Sequence, residues 1–396
     1  MKLHIDSAKA QLSGLSRLAE GFFDKYGHLP PPDPNVIKKE AERIGASGIL
    51  AENVWTLAKM VGESRSLSNL YNGLLDVNLM NEYHESVSGL MQALVLFGML
   101  PGIWARHKQL NIPEEITCDT LQDYFIALDV YASLNDGAFG MDYFKWLVNH
   151  VDCKLFKIGR LQYILKPYNG YARVFVCDTT GEIIMSAQSG IVFRGDGLID
   201  GGNELGQNKP CESYWESKTY ETNDTVESNC LLVDGRAIQA KISLDKKIWR
   251  LALDKDIYGL EMHIPRGRPL YRNECIESLR EAWRFYRAYF PDKAFEAFYC
   301  GSWLLDANIK HILPPASGIV QFLSLYRLYP LPGTPWSFVD RAFDTDPTTI
   351  TDIMAFARTA DRGTGLRRAV ADYILAGGSL SSAGGVIHQY DLMKFT

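Results

Sequence analysis

The chain has 396 residues, enough for two or three domains with sizeable cores. Hydrophobic residues make up 46% and charged residues 22%, a globular balance that excludes a disordered chain. A formal charge of −6 argues against a general nucleic-acid binder, so any anion site must be a local cluster of cations.

Up to about residue 152 the hydrophobic period is helical. Leu12, Leu15, Leu18, Phe22 and Tyr26 recur at spacings of three and four, Gly27 closes that helix, and Pro30-Pro31-Pro32 forms a rigid connector. Further helical runs cover 34–45, 48–62, 65–78, 86–98, 119–135 and 140–150, with Asp119-Thr120 as a helix start. Met1 to Gly14 mixes charged and polar residues, so no signal peptide is expected. The apolar stretch Leu90 to Leu100 stops at Pro101, short of a membrane span, and no membrane partner is expected. His4, His28, His84, His107 and His150 are isolated and read as structural or surface residues.

From Leu155 the period switches to two. Phe156 to Lys166 reads as a strand, and Tyr171 to Ala187 as a hairpin around Thr179-Thr180-Gly181. Strands follow near 213–221, 226–233, 237–244 and 248–253, with Asp234-Gly235 as a tight turn. The glycine-rich segment 195–206 fails the dinucleotide fingerprint and reads as a surface loop. A strand over 259–265 ends on Arg266-Gly-Arg-Pro-Leu-Tyr-Arg272, which opens a helix capped by Asn273. Its buried stripe is Ile276, Leu279, Trp283, Tyr286 and Phe290, and its wet side pairs Glu277 with Arg280 and Glu281 with Arg284. An apolar run over 295–306 read as a strand, a helix 307–313 capped by Asp306, and a second apolar run over 318–329 read as a strand come next. Helices over 348–359 and 365–376 complete the pattern. The seven cysteines are scattered, without a Cys-x-x-Cys pair, which suits free thiols in a reducing cytosol rather than disulfides or zinc. A cytoplasmic protein without a metal is the expectation.

A strand that enters a helix through an arginine-rich turn is a device for holding an anion, because the helix amides and the guanidinium groups both point at it. Three strings, Gly159-Arg-Leu-Gln-Tyr163, Met262-His-Ile-Pro265 and Ser302-Trp-Leu-Leu-Asp306, resemble a family of bacterial two-domain proteins. Those proteins join a helical N-acyltransferase N-terminal domain to a GNAT-like C-terminal domain. The resemblance covers essentially the whole chain and implies an α+β fold, with a helical domain over 1–153 and a GNAT-like mixed-sheet domain with flanking helices over 154–396. It also implies an acyl-CoA-dependent acyltransferase acting on an amine or hydroxyl of a small-molecule acceptor. Acetyl-CoA or another acyl-CoA would be the co-substrate, its pyrophosphate held by Ile264, Arg266, Gly267, Arg268 and Arg272. Two residues depart from the family turn: Pro269 and Tyr271 stand where small residues belong, and Glu274 opposes a phosphate. The rival turn Arg362-Gly-Thr-Gly-Leu-Arg367 lies closer to the family spacing, but a helix rather than a strand precedes it.

Acyl transfer from a thioester needs a base for the attacking amine and an acid for the leaving thiolate. Strand alternation places Glu261 and His263 on one face, and a histidine can accept a proton near neutral pH. Tyr299 on the next strand is the candidate acid. Cys300 has no His/Asp pattern around it and reads as a buried thiol rather than a nucleophile. A non-catalytic GNAT-like binding or interaction protein, its turn altered by Pro269 and Tyr271, is the alternative function.

Overall fold

The computed structural model describes residues 3–26, 30–199, 213–332 and 337–395. Gly27, His28, Cys211 and residues 200–206 of the glycine-rich segment 195–206 lie outside the described residues. The fold is α+β. The chain divides into two compact units: Met1–Ile158 with Gln162–Ile164 and Ile264–Arg266, and Gly159–Leu161 with Leu165–His263 and Gly267–Thr396.

The first unit is built from amphipathic helices, several of which start on a side-chain cap. Asp33 accepts the amides of Asn35 and Val36 at the head of Pro34–Arg43, where Pro34 occupies the first turn without breaking a bond. Ser64, Asp76 and Ser88 do the same for Arg65–Leu74, Val77–Tyr83 and Gly89–Gln109. The last of these corrects the expected helical run 86–98: the helix is 21 residues long and continues through Pro101 to Gln109. Pro101 is exposed, so the ring meets solvent rather than packed neighbours. This helix is long and apolar enough to cross a membrane by length and composition, yet 67% of its most apolar window is buried inside the unit. It forms the core there, and a Cβ on Gly98 would collide with the Tyr71 ring.

The expected single helix over 119–135 is two, Glu114–Leu121 and Asp123–Leu134. Thr120 caps neither; its hydroxyl accepts the Lys157 amide at 3.0 Å. Two of the isolated histidines are buried, each with one ring nitrogen hydrogen-bonded and the other without a partner among the described residues. The His107 Nδ1 lies 2.8 Å from the Thr117 hydroxyl, which donates to the Pro113 carbonyl. The His150 Nε2 lies 3.1 Å from Asp123 Oδ2, which also accepts the Trp146 indole N–H at 2.9 Å.

The strands are β1 (Leu155–Ile158), β2 (Leu161–Pro167), β3 (Ala172–Cys177), β4 (Glu182–Ala187), β5 (Val192–Arg194), β6 (Tyr214–Glu216) and β7 (Thr219–Glu221). They continue as β8 (Thr225–Leu231), β9 (Ala237–Asp245), β10 (Trp249–Leu253), β11 (Tyr258–His263), β12 (Ala297–Ser302), β13 (Arg327–Pro330) and β14 (Ala383–His388). The expected strand 156–166 is therefore broken after Ile158, where Gly159 takes φ +61°. The expected strand 213–221 is also two pieces, β6 and β7.

In the second unit one mixed sheet runs β2-β11-β12-β14-β13, and an antiparallel sheet runs β10-β3-β4-β8-β7 with β9 on β8. The inner strand β14 was not anticipated in the tail. It lies between β12 and β13, antiparallel to both, with Gly384 opposite Tyr329 and Gly385 opposite Leu328. Side chains at those two glycines would strike the rings of Tyr329 and Tyr326. The apolar run 318–329 is likewise not one strand: Gly318–Leu323 is helical, and only Arg327–Pro330 joins the sheet.

One face of the mixed sheet carries Phe298 and receives the helix Arg272–Tyr289, whose Trp283 ring sits 6.1 Å from that of Phe298. The buried stripe of this helix is Cys275, Ile276, Leu279, Ala282, Phe285 and Tyr286, while Trp283 and Phe290 are half-buried. On its wet side Arg284 pairs with Glu277 at 3.1 Å rather than with the expected Glu281. The opposite face carries Ala297, Tyr299, Tyr329 and Val386, which share a core with Val174, Val176, Met185 and Leu253 of the second sheet.

Candidate active site

Strand alternation puts Glu261 and His263 on one face of β11, and their side chains meet: His263 Nε2 lies 2.8 Å from Glu261 Oε2. Lys166 on β2 reaches the same oxygen, with its Nζ at 2.7 Å. Sequence reasoning missed Lys166, because nothing in its own strand indicates which carboxylate lies across the sheet. Burial pushes the Glu261 carboxyl up, but hydrogen bonds from His263 and Lys166 and their charges outweigh it and hold the group below the ordinary value. Glu261 is thus an ionised anchor with two donors.

Parallel pairing of β11 with β12 sets Leu260 beside Phe298 and Glu261 beside Tyr299. Tyr299 is buried, packs edge-on to Tyr168 at 5.0 Å, and its hydroxyl has no hydrogen-bond partner among the described residues. Burial, then the charges of Glu261 and Tyr168, push that hydroxyl well above its ordinary pKa, so it keeps its proton. Cys300, on the other face, is buried, and burial followed by the Glu261 charge pushes its thiol up to about 12. A thiol held protonated in this way is no nucleophile.

The arginine turn follows β11. Gly267 takes φ +112°, which strongly favours glycine. Beneath the turn, buried Arg160 donates through Nε to the Pro269 carbonyl at 3.0 Å and through a terminal nitrogen to the Arg268 carbonyl at 2.5 Å. The helix begins at Arg272, two residues earlier than expected; its N-cap is Tyr271, without a side-chain cap, and Asn273 lies inside the helix. Arg268 is exposed and bound to Glu274, and the Arg272 guanidinium sits 5.9 Å from the Phe395 ring. Ile264 and Arg266 belong to the first unit and Gly267, Arg268 and Arg272 to the second, along with Glu261, His263 and Tyr299. The role of Arg160 was invisible in sequence, although it lies in a quoted string.

The rival turn is electrostatically closed. Arg362 binds Asp372 at 2.5 Å, and Arg367 binds Asp344 at 2.7 Å and also Asp361. The helix Gly365–Leu375 that follows is capped by Thr364, and the helix Ile353–Thr359 precedes the turn. Asp306 is not the expected N-cap either: the short helix starts at Ile309, and the buried Asp306 carboxylate accepts the amides of Asn308 and Ser381.

A family model of the GNAT-like C-terminal domain matches residues 155–387, and one of the N-acyltransferase N-terminal domain matches residues 19–153. No curated protein matches the chain. Among solved structures the chain is similar to an acyltransferase in complex with decanoyl-CoA, at 17% identity and TM-score 0.56, over 98% of this chain and 99% of that one. It is also similar to an acyltransferase in complex with decanoyl-CoA and teicoplanin, at 15% identity and TM-score 0.55, over 92% and 90%. An acyltransferase mutant in complex with octanoyl-CoA gives 15% identity and TM-score 0.56 over the same shares. At these identities the likeness is one of fold.

Proposed function

The chain belongs to the family of the GNAT-like C-terminal domain, and from that premise we propose that it transfers an acyl group from acyl-CoA to an amine or hydroxyl of a small acceptor. The observation that carries this reading is the hydrogen-bonded Glu261–His263 pair on the strand that leads directly into the arginine turn. The similar structures hold octanoyl-CoA or decanoyl-CoA, and one holds teicoplanin, which makes medium-chain acyl-CoA the first donor to try. Free thiols at six described cysteines support the cytoplasmic placement, and a bacterial source goes with the family resemblance.

In the proposed mechanism Ile264, Arg266, Gly267, Arg268 and Arg272 hold the CoA pyrophosphate. His263 takes a proton from the acceptor nitrogen or oxygen as that atom attacks the thioester carbonyl. Because Nε2 faces the ionised Glu261, Nε2 carries the ring hydrogen, and Nδ1 is the atom that accepts the proton. Glu261 fixes that tautomer and stabilises the imidazolium, while Lys166 keeps the carboxylate occupied and ionised. The tetrahedral adduct collapses as the carbon–sulfur bond breaks. Tyr299 donates a hydrogen bond to the departing thiolate; its raised pKa suits hydrogen bonding better than full proton release.

The test is thermal unfolding with CoA, acetyl-CoA and decanoyl-CoA, since a ligand at a hundred times its dissociation constant stabilises by about 2.7 kcal/mol. The double variant Arg266→Ala/Arg268→Ala should lose this shift and stay within about 0.5 kcal/mol of the parent without ligand, because both residues are exposed. An undiminished shift in that variant moves the phosphate site to Arg362–Arg367. A second reading, ligand binding without turnover, is favoured by Glu274 occupying Arg268 and by the missing amide at Pro269. Binding of decanoyl-CoA without transfer to any amine or hydroxyl acceptor would select it.

A further inference from the structure

We propose that Arg160 is the positioning residue of the pyrophosphate turn: from below it draws the carbonyls of Arg268 and Pro269 inward and so leaves the outer face open to an anion. This rests on the reading of 264–272 as the CoA-binding turn.

A turn can bind phosphate only if its carbonyl oxygens do not face the phosphate. Arg160 is buried, and burial works against its charge, so its guanidinium needs acceptors. Two of them are consecutive carbonyls of the turn, more than a hundred residues away in sequence. In a trans peptide the N–H points opposite to the C=O. Holding the Pro269 carbonyl inward therefore directs the Leu270 amide away from Arg160. The Arg268 carbonyl is also held inward, and Pro269 has no N–H to present on the other side of that peptide. Proline at this position, a departure from the family turn, thus costs one donor but exposes no acceptor. The permanent charge of Arg160 also lies directly under the turn and adds to its positive field. Gly267, at φ +112°, supplies the backbone shape that the two bonds then hold.

The test compares decanoyl-CoA with decanoyl-pantetheine, which shares the thioester but carries no pyrophosphate, by calorimetric titration of the full chain. Arg160→Met should weaken decanoyl-CoA about tenfold or more, the scale of a lost charge-assisted interaction, and leave decanoyl-pantetheine unchanged. Arg160→Lys, which keeps the charge but not the fork, should fall between, and decides the matter by the same ratio if the Met variant does not fold. Equal weakening of both ligands makes Arg160 a purely structural residue and overturns the proposal; so does equal retention. If Arg268→Ala selectively weakens decanoyl-CoA while Arg160→Met does not, the turn reading stands and only this inference fails. If neither variant discriminates the two ligands, the turn reading itself fails.

Discussion

Arg268 gives one terminal guanidinium nitrogen to both carboxylate oxygens of Glu274, at 3.1 Å each. Glu274 sits in the first turn of the helix that follows the arginine turn, so in the proposed pyrophosphate site it would both neutralise Arg268 and place a negative charge beside the phosphate. Phosphate must displace it from Arg268. Glu274→Gln should therefore tighten CoA binding about two- to fivefold, the scale of a partly exposed ion pair. The same change should lower stability without ligand by about 0.3–1 kcal/mol, because a carboxylate at a helix N-terminus is stabilising. Opposite signs in the two measurements are the signature. Weaker CoA binding in the Gln variant would show that Glu274 orients Arg268 productively.

Tyr299 separates stability from chemistry in the other direction. A buried hydroxyl without a partner costs about 1–3 kcal/mol, so Tyr299→Phe should hold or raise the melting temperature. If the hydroxyl assists the leaving thiolate, the same variant should lose about tenfold or more in kcat with little change in KM. Unchanged kcat alongside a higher melting temperature would reduce Tyr299 to a core residue of the tyrosine cluster with Tyr168 and Tyr329.

The helical half, the strand Tyr258–His263, which ends two residues before the expected 259–265, and the Glu261–His263 pairing were legible because each follows from a local period. Apolar spacings of three and four expose helices, and an alternation of two fixes which side chains share a face. What escaped depends on contacts distant in sequence. β14 has two glycines in six residues and little strand propensity; it is a strand because the rings of Tyr326 and Tyr329 fill the space its side chains would take. Lys166 and Arg160 look like ordinary surface cations, and only sheet order brings Lys166 to Glu261 and the chain's return brings Arg160 beneath Pro269. The capping errors at Asn273 and Asp306 share one cause: a polar residue near a helix start fits the cap pattern whether or not its side chain has a better partner.

The first unit should be sensitive to acid through His107. Burial, then the nearby His150, lowers its pKa from 6.5 to about 4. Below pH 6.5 the unfolded chain binds a proton that the folded chain refuses, so stability is full above that pH and falls as pH drops towards 4. The whole loss from this group is about 3 kcal/mol, of which roughly 2 kcal/mol is gone by pH 5. Asp123, held below the ordinary carboxylate value despite its burial, adds a further loss only at lower pH. His107→Asn can keep the bond to Thr117 without a group that titrates here, so its melting temperature should vary less between pH 7 and pH 5 than the parent's. Parallel curves for the two proteins would remove His107 as the cause.

His263 carries the most chemistry in this proposal. If its Nδ1 is the proton acceptor, His263→Ala should lower turnover by about 10²–10⁴ and leave the affinity for acyl-CoA nearly unchanged, because a positioned base acts mainly in the transition state. His263→Gln can still donate to Glu261 from roughly the place of Nε2 but offers no proton acceptor where Nδ1 stood, so it should be as inactive as the Ala variant and more stable. Glu261→Gln is the complementary probe. It keeps an acceptor for Lys166 and the ring but removes the charge that stabilises the imidazolium, so a smaller loss in turnover is expected. The informative ordering in kcat is parent, then Glu261→Gln, then the two His263 variants together. Full turnover in His263→Gln, with instability confined to His263→Ala, would assign His263 to structure. The proton would then have to leave through water, because Glu261 already has Lys166 as its partner.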